Sequence, residues 1–299
     1  MNFKNLNLLS PSQVKALFGL PPAILAAMLF QVLPALEQRR TSRLESREER
    51  KRKRVTDDGR PRTVTPLPKV LRTLVYLRHN VNHAVVGALF GFSADTSENA
   101  FHEVVPVWRD LFPAEQWEAE KRWRKGEPTW TPEAVDKVIV DSFETPVRRP
   151  SLHERQKRLY AGKKKRHTLK TQIATDQEGA ILQSNPGHRG PQADLKLYEE
   201  PPLPAPCADQ LRIGDKAYGS QDHPEITTPH QKPTGGELTE ERQAPNKESA
   251  RQRSVVEHAI RRIKGFRILR DDYRLAVGLF PLVALAVVGL IQFSRLIAS

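Results

Sequence analysis

The sequence predicts an all-α amino-terminal region with a helix-turn-helix, followed by a mixed α/β domain whose sheet is flanked by helices. Three observations carry this. Up to about residue 125 apolar residues recur at helical spacing, in segments bounded by Pro, Ser and Gly. From Val135 the period shortens, and Val138–Ile139–Val140 forms a β-branched run typical of a buried strand. From roughly residue 239 to 265 a long helical pattern returns, with Val256, Ile260 and Ile263 to one side. The expected domains are residues 1–125 and 126–299.

Each element of the first region has a local reason. Ser10 is placed to cap "SPSQVKALFGL", with Pro11 at the first helical position. "AILAAMLFQVLPALEQ" is a second, apolar helix. Residues 39–54, "RRTSRLESREERKRKR", hold nine bases against three acids and read as a solvated linker or helix end, or as a phosphate-binding arm. "DDGRPRTVTPLP" breaks structure. "PKVLRTLVYLRHN" gathers Leu71, Leu74, Val75 and Leu77 near one face. A short helix ending at Gly91, a brief turn and a helix capped by Ser93 then give the helix-turn-helix pattern at about 81–110. In its DNA-binding form the second helix would enter the major groove with Asp95, Thr96, Ser97 and Asn99; the plainer reading is an αα-corner. "EQWEAEKRWRKGEPTWTPEA" reads as a connector.

In the second region "VDKVIVD" is a short strand ending at Asp141. "RHTLKTQIATDQEGAILQSNP" is a hairpin about the turn Asp176–Gly179, and "LRIGDKAYGS" a strand ending near Asp215. Residues 224–246 read as a long loop. The apolar run 275–293 is nearly long enough to cross a bilayer; with Pro281 and two glycines in it, it is read as a final helix buried against the sheet, with a membrane anchor as the competing reading.

Composition bounds the partners. The net charge of +13 favours polyanions, nucleic acid before an anionic membrane surface. Cys207 is the single cysteine, which excludes a disulfide framework or a cysteine-based zinc site within one chain. "MNFKNLNLLSPS" has no signal-peptide apolar core, and a cytoplasmic protein is expected.

"RSVVEHAIRRIKGFRIL" places one acid, Glu257, among cations. On a helical wheel Arg253, Arg261 and Lys264 lie within roughly 40° of it. That suits an ordinary charge pair on a solvated face and an active-site wall equally. Asp141, Asp215 and Glu257 together offer the hard oxygen donors that Mg²⁺ prefers, and two such ions can drive phosphodiester chemistry. With 35 acids in the chain, spacing alone does not single out this triple.

The stretches "VIVDSFETPVRRP", "YAGKKKRHTLKTQIATDQEGAILQSNPG", "IGDKAYGS" and "RSVVEHAIRRIKGFRIL", in that order over about 138–270, resemble the DDE transposases of bacterial insertion sequences related to the Harbinger group. The family's pattern Tyr-x2-Arg-x3-Glu-x6-Lys is met by Arg253, Glu257 and Lys264; Ala250 stands where the Tyr would be. The resemblance implies an RNase H-like fold and Asp141, Asp215 and Glu257 as catalytic metal ligands. It implies two Mg²⁺ ions, with Mn²⁺ as substitute, and cleavage of mobile-element ends with strand transfer into target DNA. A homodimer or larger assembly on DNA would be the working form. "LRHNVNHAVVGALFGFSADTSENAFHEV" is more loosely similar to the family's helix-turn-helix.

Eight bases and no acid between Arg155 and Lys170, including Lys163, Lys164, Lys165 and Arg166, read as a phosphate-contacting turn or a solvated loop. Lys216, Arg253, Arg261 and Lys264 are further candidates for DNA contact. His167 reads as a strand-edge residue, Asp194 as a family-like acid or a helix N-terminal charge, and Tyr218 as packing. Trp108, Trp117, Trp123 and Trp130 read as packing residues. A non-catalytic DNA-binding protein that keeps the fold is the alternative function.

Overall fold

A computed structural model describes residues 8–51, 65–123, 135–200, 203, 209–232 and 238–298. Arg52–Arg54 of the basic arm, most of "DDGRPRTVTPLP", Trp130 and Cys207 lie outside the described residues. The chain divides into two compact units, 1–111 and 112–299.

The first unit holds α1 (Pro11–Phe18), α2 (Pro22–Lys51), α3 (Pro66–His79), α4 (His83–Phe90) and α5 (Ala94–Leu111). Ser10 caps α1 in a reciprocal box with Gln13. The basic segment from Arg39 to Lys51 is not a linker: it continues α2 as helix. Leu71, Leu74, Val75 and Leu77 of α3 are buried with Phe101, Val104 and Trp108 of α5. Helix α4 ends at Gly91, whose φ of 74° is left-handed, and α5 starts where Ser93 Oγ accepts from the Thr96 amide at 3.2 Å. The Arg72 guanidinium lies 4.0 Å from the Phe92 ring and ties the turn to α3. Ser97, expected to read DNA, is buried instead and meets His83 Nδ1 at 3.3 Å; Asp95 and Asn99 face outward. About half a turn of helix separates inward from outward positions, and Ser97, one turn before Phe101, shares the inward stripe with Phe101 and Val104.

The second unit is a six-stranded mixed sheet with helices. It comprises α6 (Gln116–Trp123), β1 (Lys137–Pro146), α7 (His153–Leu159), β2 (Tyr160–Ala161), β3 (Arg166–Thr175), β4 (Ile181–Arg189), α8 (Asp194–Glu199), β5 (Leu211–Ile213), β6 (Ile226–Thr227), α9 (Glu240–Lys264) and α10 (Phe280–Ala298). The order is β2-β3-β1-β5-β6, with β4 also on β3. Strand β1 pairs antiparallel with β3 and parallel with β5, and β5 runs parallel to β6. Along β1, Val138 and Val140 enter one apolar layer with Tyr198 and Tyr218; by the two-residue alternation, Ile139, Asp141 and Phe143 face the other way, toward α9.

Three expectations change here. Part of the expected connector is α6, which packs on α10; Phe112, Trp123 and Phe293 form an aromatic cluster there. The expected loop 224–246 contains β6 and is cut short by α9, which begins at Glu240 as the helical pattern from about 239 had it. Strand β1 does not end at Asp141 but runs to Pro146, because β3 pairs with it through the register Pro146↔Thr168. The apolar run 275–293 is largely α10, which buries Phe280, Val283, Val287, Leu290 and Phe293 against α6, β4 and α9. Residues 277–298 are long and apolar enough to cross a membrane, and burial in this unit accounts for that apolarity.

Candidate active site

The sheet register sets the site. Ile139 of β1 is paired with Ile213 of β5, so Asp141 and Asp215 both stand two residues farther along neighbouring parallel chains. Beyond Ile213 the β5 chain turns away through Gly214, where a Cβ would come 2.8 Å from Tyr218 Cβ; only glycine allows that return. Asp215 then caps the 3-10 turn Lys216–Tyr218, its Oδ1 accepting from the Ala217 amide at 2.7 Å. Glu257 comes from α9, exposed, above the same edge.

Asp141 is largely buried, and burial pushes its carboxyl up to about 6. Its bond from the Ser142 amide (2.7 Å) and Arg253, 3.7 Å away, work against that rise; the charges of Asp215 and Glu257 add to it. Two carboxylates from separate elements thus add their charge to that of Asp141. Among the described residues no three His, Cys, Asp or Glu side chains close into a ready metal group. Asp141 is turned to Arg253 and Asp215 to the Ala217 amide. By donor chemistry the set nonetheless suits a hard cation, because it offers only oxygens and the acidic surroundings of Asp141 would be relieved by positive charge.

A cavity of about 540 Å³ opens beside Asp141 and Glu257, with Lys163, Lys164, Lys170 and Lys264 among its lining. Lys264 lies 5.2 Å from the Phe143 ring, and burial, then Lys164, lowers its pKa. Not every candidate joins the cavity. Arg261 lines a separate hollow with Gly179, His258 and Arg262, on the far side of α9. Lys165 takes a left-handed conformation with φ of 51° and, like Arg166, lies outside the lining; Arg166 pairs with Asp272 at 3.3 Å. Lys216 is exposed beside Asp215. Ala250 is exposed on α9, one turn ahead of Arg253.

Sequence reasoning missed Ser142 and read Lys170 only as the last base of a phosphate-contacting or solvated run. Lys170 is buried and pairs with Asp194 at 3.1 Å while donating to the Gln192 carbonyl at 2.7 Å. Asp194 also accepts from Ser142 Oγ at 2.5 Å, so the acid at the start of α8 is held one residue from Asp141. A lone lysine in the middle of a strand flanked by two others was the available signal, since such a charge is almost never buried unpaired. Tyr218 is fully buried, and burial, then the charges of Asp194, Asp141 and Asp215, keep its hydroxyl protonated.

The sheet order and its flanking helices define an RNase H-like catalytic domain behind a helix-turn-helix. A family model described as DDE superfamily endonuclease matches residues 140–292, more than half of the chain, and one described as the helix-turn-helix of that superfamily matches 64–114. The chain belongs to the DDE superfamily of endonucleases. It is 34% identical over 146 residues, 48% of this chain and 51% of the relative, to a protein assigned as a transposase for insertion sequence element IS702 in Microchaete diplosiphon. It is 26% identical over 218 residues, 71% of this chain and 74% of the relative, to one assigned to element IS112 in Streptomyces albus G. The first match thus spans about half the relative's length. No solved structure matches the chain. Membership implies use of a divalent metal, and the helix-turn-helix implies DNA binding.

Proposed function

We propose that this chain is a DNA transposase that cuts the ends of a mobile element and joins them to target DNA. The observation that carries this reading is that Asp141 and Glu257 line one lysine-walled cavity, with Asp215 level with Asp141 on the neighbouring parallel strand. These three carboxylates would hold two Mg²⁺ ions, with Mn²⁺ as substitute. Bound there, the metal would supply an activated hydroxyl nucleophile and stabilise the leaving oxygen of a phosphodiester. Lys163, Lys164 and Lys264 bind the scissile strand by its phosphates, and Lys216 extends that grip past Asp215. Arg253, 3.7 Å from Asp141, would keep that carboxylate in place and charged. Arg261 serves DNA on the outer side of α9, and Lys165 and Arg166 on the turn. The first region, residues 1–125, recognises the terminal inverted repeats through the helix-turn-helix and the basic end of α2; residues 126–299 do the chemistry. The working form is a homodimer or larger assembly on the element ends, in the bacterial cytoplasm at the nucleoid.

The test is cleavage of DNA carrying the element ends with Mg²⁺ or Mn²⁺. Asp141→Asn, Asp215→Asn and Glu257→Gln should each bring cleavage to background while duplex binding persists. Full cleavage by any of the three refutes its assigned role. The second reading, a DNA-binding protein without the chemistry, draws on Ala250 at the family's Tyr position. Sequence-specific binding with no metal-dependent cleavage by the wild type would establish it.

A further inference from the structure

A second cavity, of about 510 Å³, is lined by Arg149, His153, Gln156, Lys157, Tyr160 and His167. It adjoins the acid-bearing cavity across β2: Tyr160 lines the one, and its neighbour Ala161 the other. Among the described residues no carboxylate lines it. Tyr160 is 46% exposed, although an aromatic ring on a strand ordinarily finds cover. It is the cross-strand partner of His167, with the rings edge to face at 5.4 Å and 66°. Gln156 donates to the Pro150 carbonyl at 2.7 Å and accepts from Arg149 Nε at 3.1 Å, which fixes the opposite wall.

We propose that this cavity takes an unpaired nucleotide of the DNA strand that runs from the cleavage cavity. Its base would stack on Tyr160, and its phosphates would be held by Arg149 and Lys157. The proposal rests on the transposase reading above. One feature selects an unpaired nucleotide over a duplex. Phosphates alone would ask only for cations, whereas an exposed aromatic face within a basic wall matches a base and a phosphate together. In a duplex that base face is covered by its neighbours. The distance is also short. Tyr160 lies three residues from Lys163, so their Cα atoms are at most roughly 11 Å apart, about three nucleotide steps of a duplex strand. A strand leaving the acids would pass the basic turn and reach the tyrosine.

The competing account is a cross-strand aromatic pair that only steadies the two-residue β2, and the experiment separates the two. Fluorescence anisotropy compares a labelled blunt duplex with the same duplex carrying a single-stranded oligothymidine tail, at low salt. Wild type should prefer the tailed duplex, Tyr160→Phe should keep that preference, and Tyr160→Ala should weaken tailed binding by about tenfold with blunt binding unchanged. His153→Ala combined with Lys157→Ala gives a second reading from the opposite wall and should lower tailed binding more than blunt. If both variants bind the two duplexes as wild type does, or if they lower thermal stability without altering the preference, the proposal falls. Wild type that prefers the tail but never cleaves would sink the catalytic reading alone. Wild type that binds neither duplex overturns both.

Discussion

Asp141 is the residue where local sequence and remote structure meet. Its place beside a β-branched run marked it, and burial, Arg253 and the two other acids together give it a carboxyl near 6. None of those neighbours lies within seventy residues of it in sequence. His223 shows the same dependence in a simpler setting, with Nδ1 3.0 Å from Glu225 and Nε2 3.2 Å from Glu199. Its bond to Glu225 raises its pKa above the ordinary 6.5. Glu225, which burial alone would push up, is held below 4.5 by its backbone amide and by His223. His223 therefore contributes stability that is whole below pH 6.5 and fades as pH rises through its raised value. Glu225 contributes above pH 4.5 and loses that as pH falls through its lowered value. Thermal melting should show wild type ahead of His223→Gln at pH between 4.5 and 6.5, with the gap closing at higher pH. A gap independent of pH would mean that the histidine acts by shape alone.

At the level of elements, α9 and α10 show how far a pattern reaches. The Val256, Ile260 and Ile263 stripe put α9 on the sheet correctly, because one apolar face has one sensible use. The wheel also placed Arg253, Arg261 and Lys264 around Glu257, yet Arg261 opens onto a different hollow. A wheel has no account of where the sheet below ends. Helix α10 is apolar on all sides, a pattern shared by membrane spans and central core helices, and only its neighbours separate the two. One of those contacts is very close: a Cβ at Gly289 would come 1.9 Å from the Phe112 carbonyl oxygen. Gly289→Ala should cost about 2 kcal/mol by forcing α10 away from the start of the second unit, seen as a lowered melting temperature. A neutral result would mean that the 112–116 segment shifts freely, and that α6 is not fixed by this contact.

For the whole molecule, charge makes a prediction that needs no site detail. With a net charge of +13 and a turn and cavity lined by lysines, binding to duplex DNA should fall steeply with salt. About six phosphate contacts would give a slope of log affinity on log salt near roughly −5. Replacing Lys163 or Lys164 by Ala should each make that slope shallower by about one unit. Titrations of a generic duplex at increasing salt would measure this, and a flat response would deny that the lysines meet phosphate.

The chain's own pattern determined the order of its parts: helices first, then strand, hairpin, strand and long helix. The three acids came from the family resemblance in that order of parts, since spacing alone does not single them out among 35 acids. Ser10, Ser93 and Gly91 were legible directly, since a cap is written within a few residues. Tertiary structure alone decided the rest. It carried β1 on to Pro146 through pairing with β3, turned Ser97 inward, paired the buried Lys170 with Asp194, and set Asp141 level with Asp215 through the Ile139–Ile213 register. These depend on which distant segments share a sheet or a helix face, and a one-residue change in pairing would turn every side chain of a strand to the opposite side.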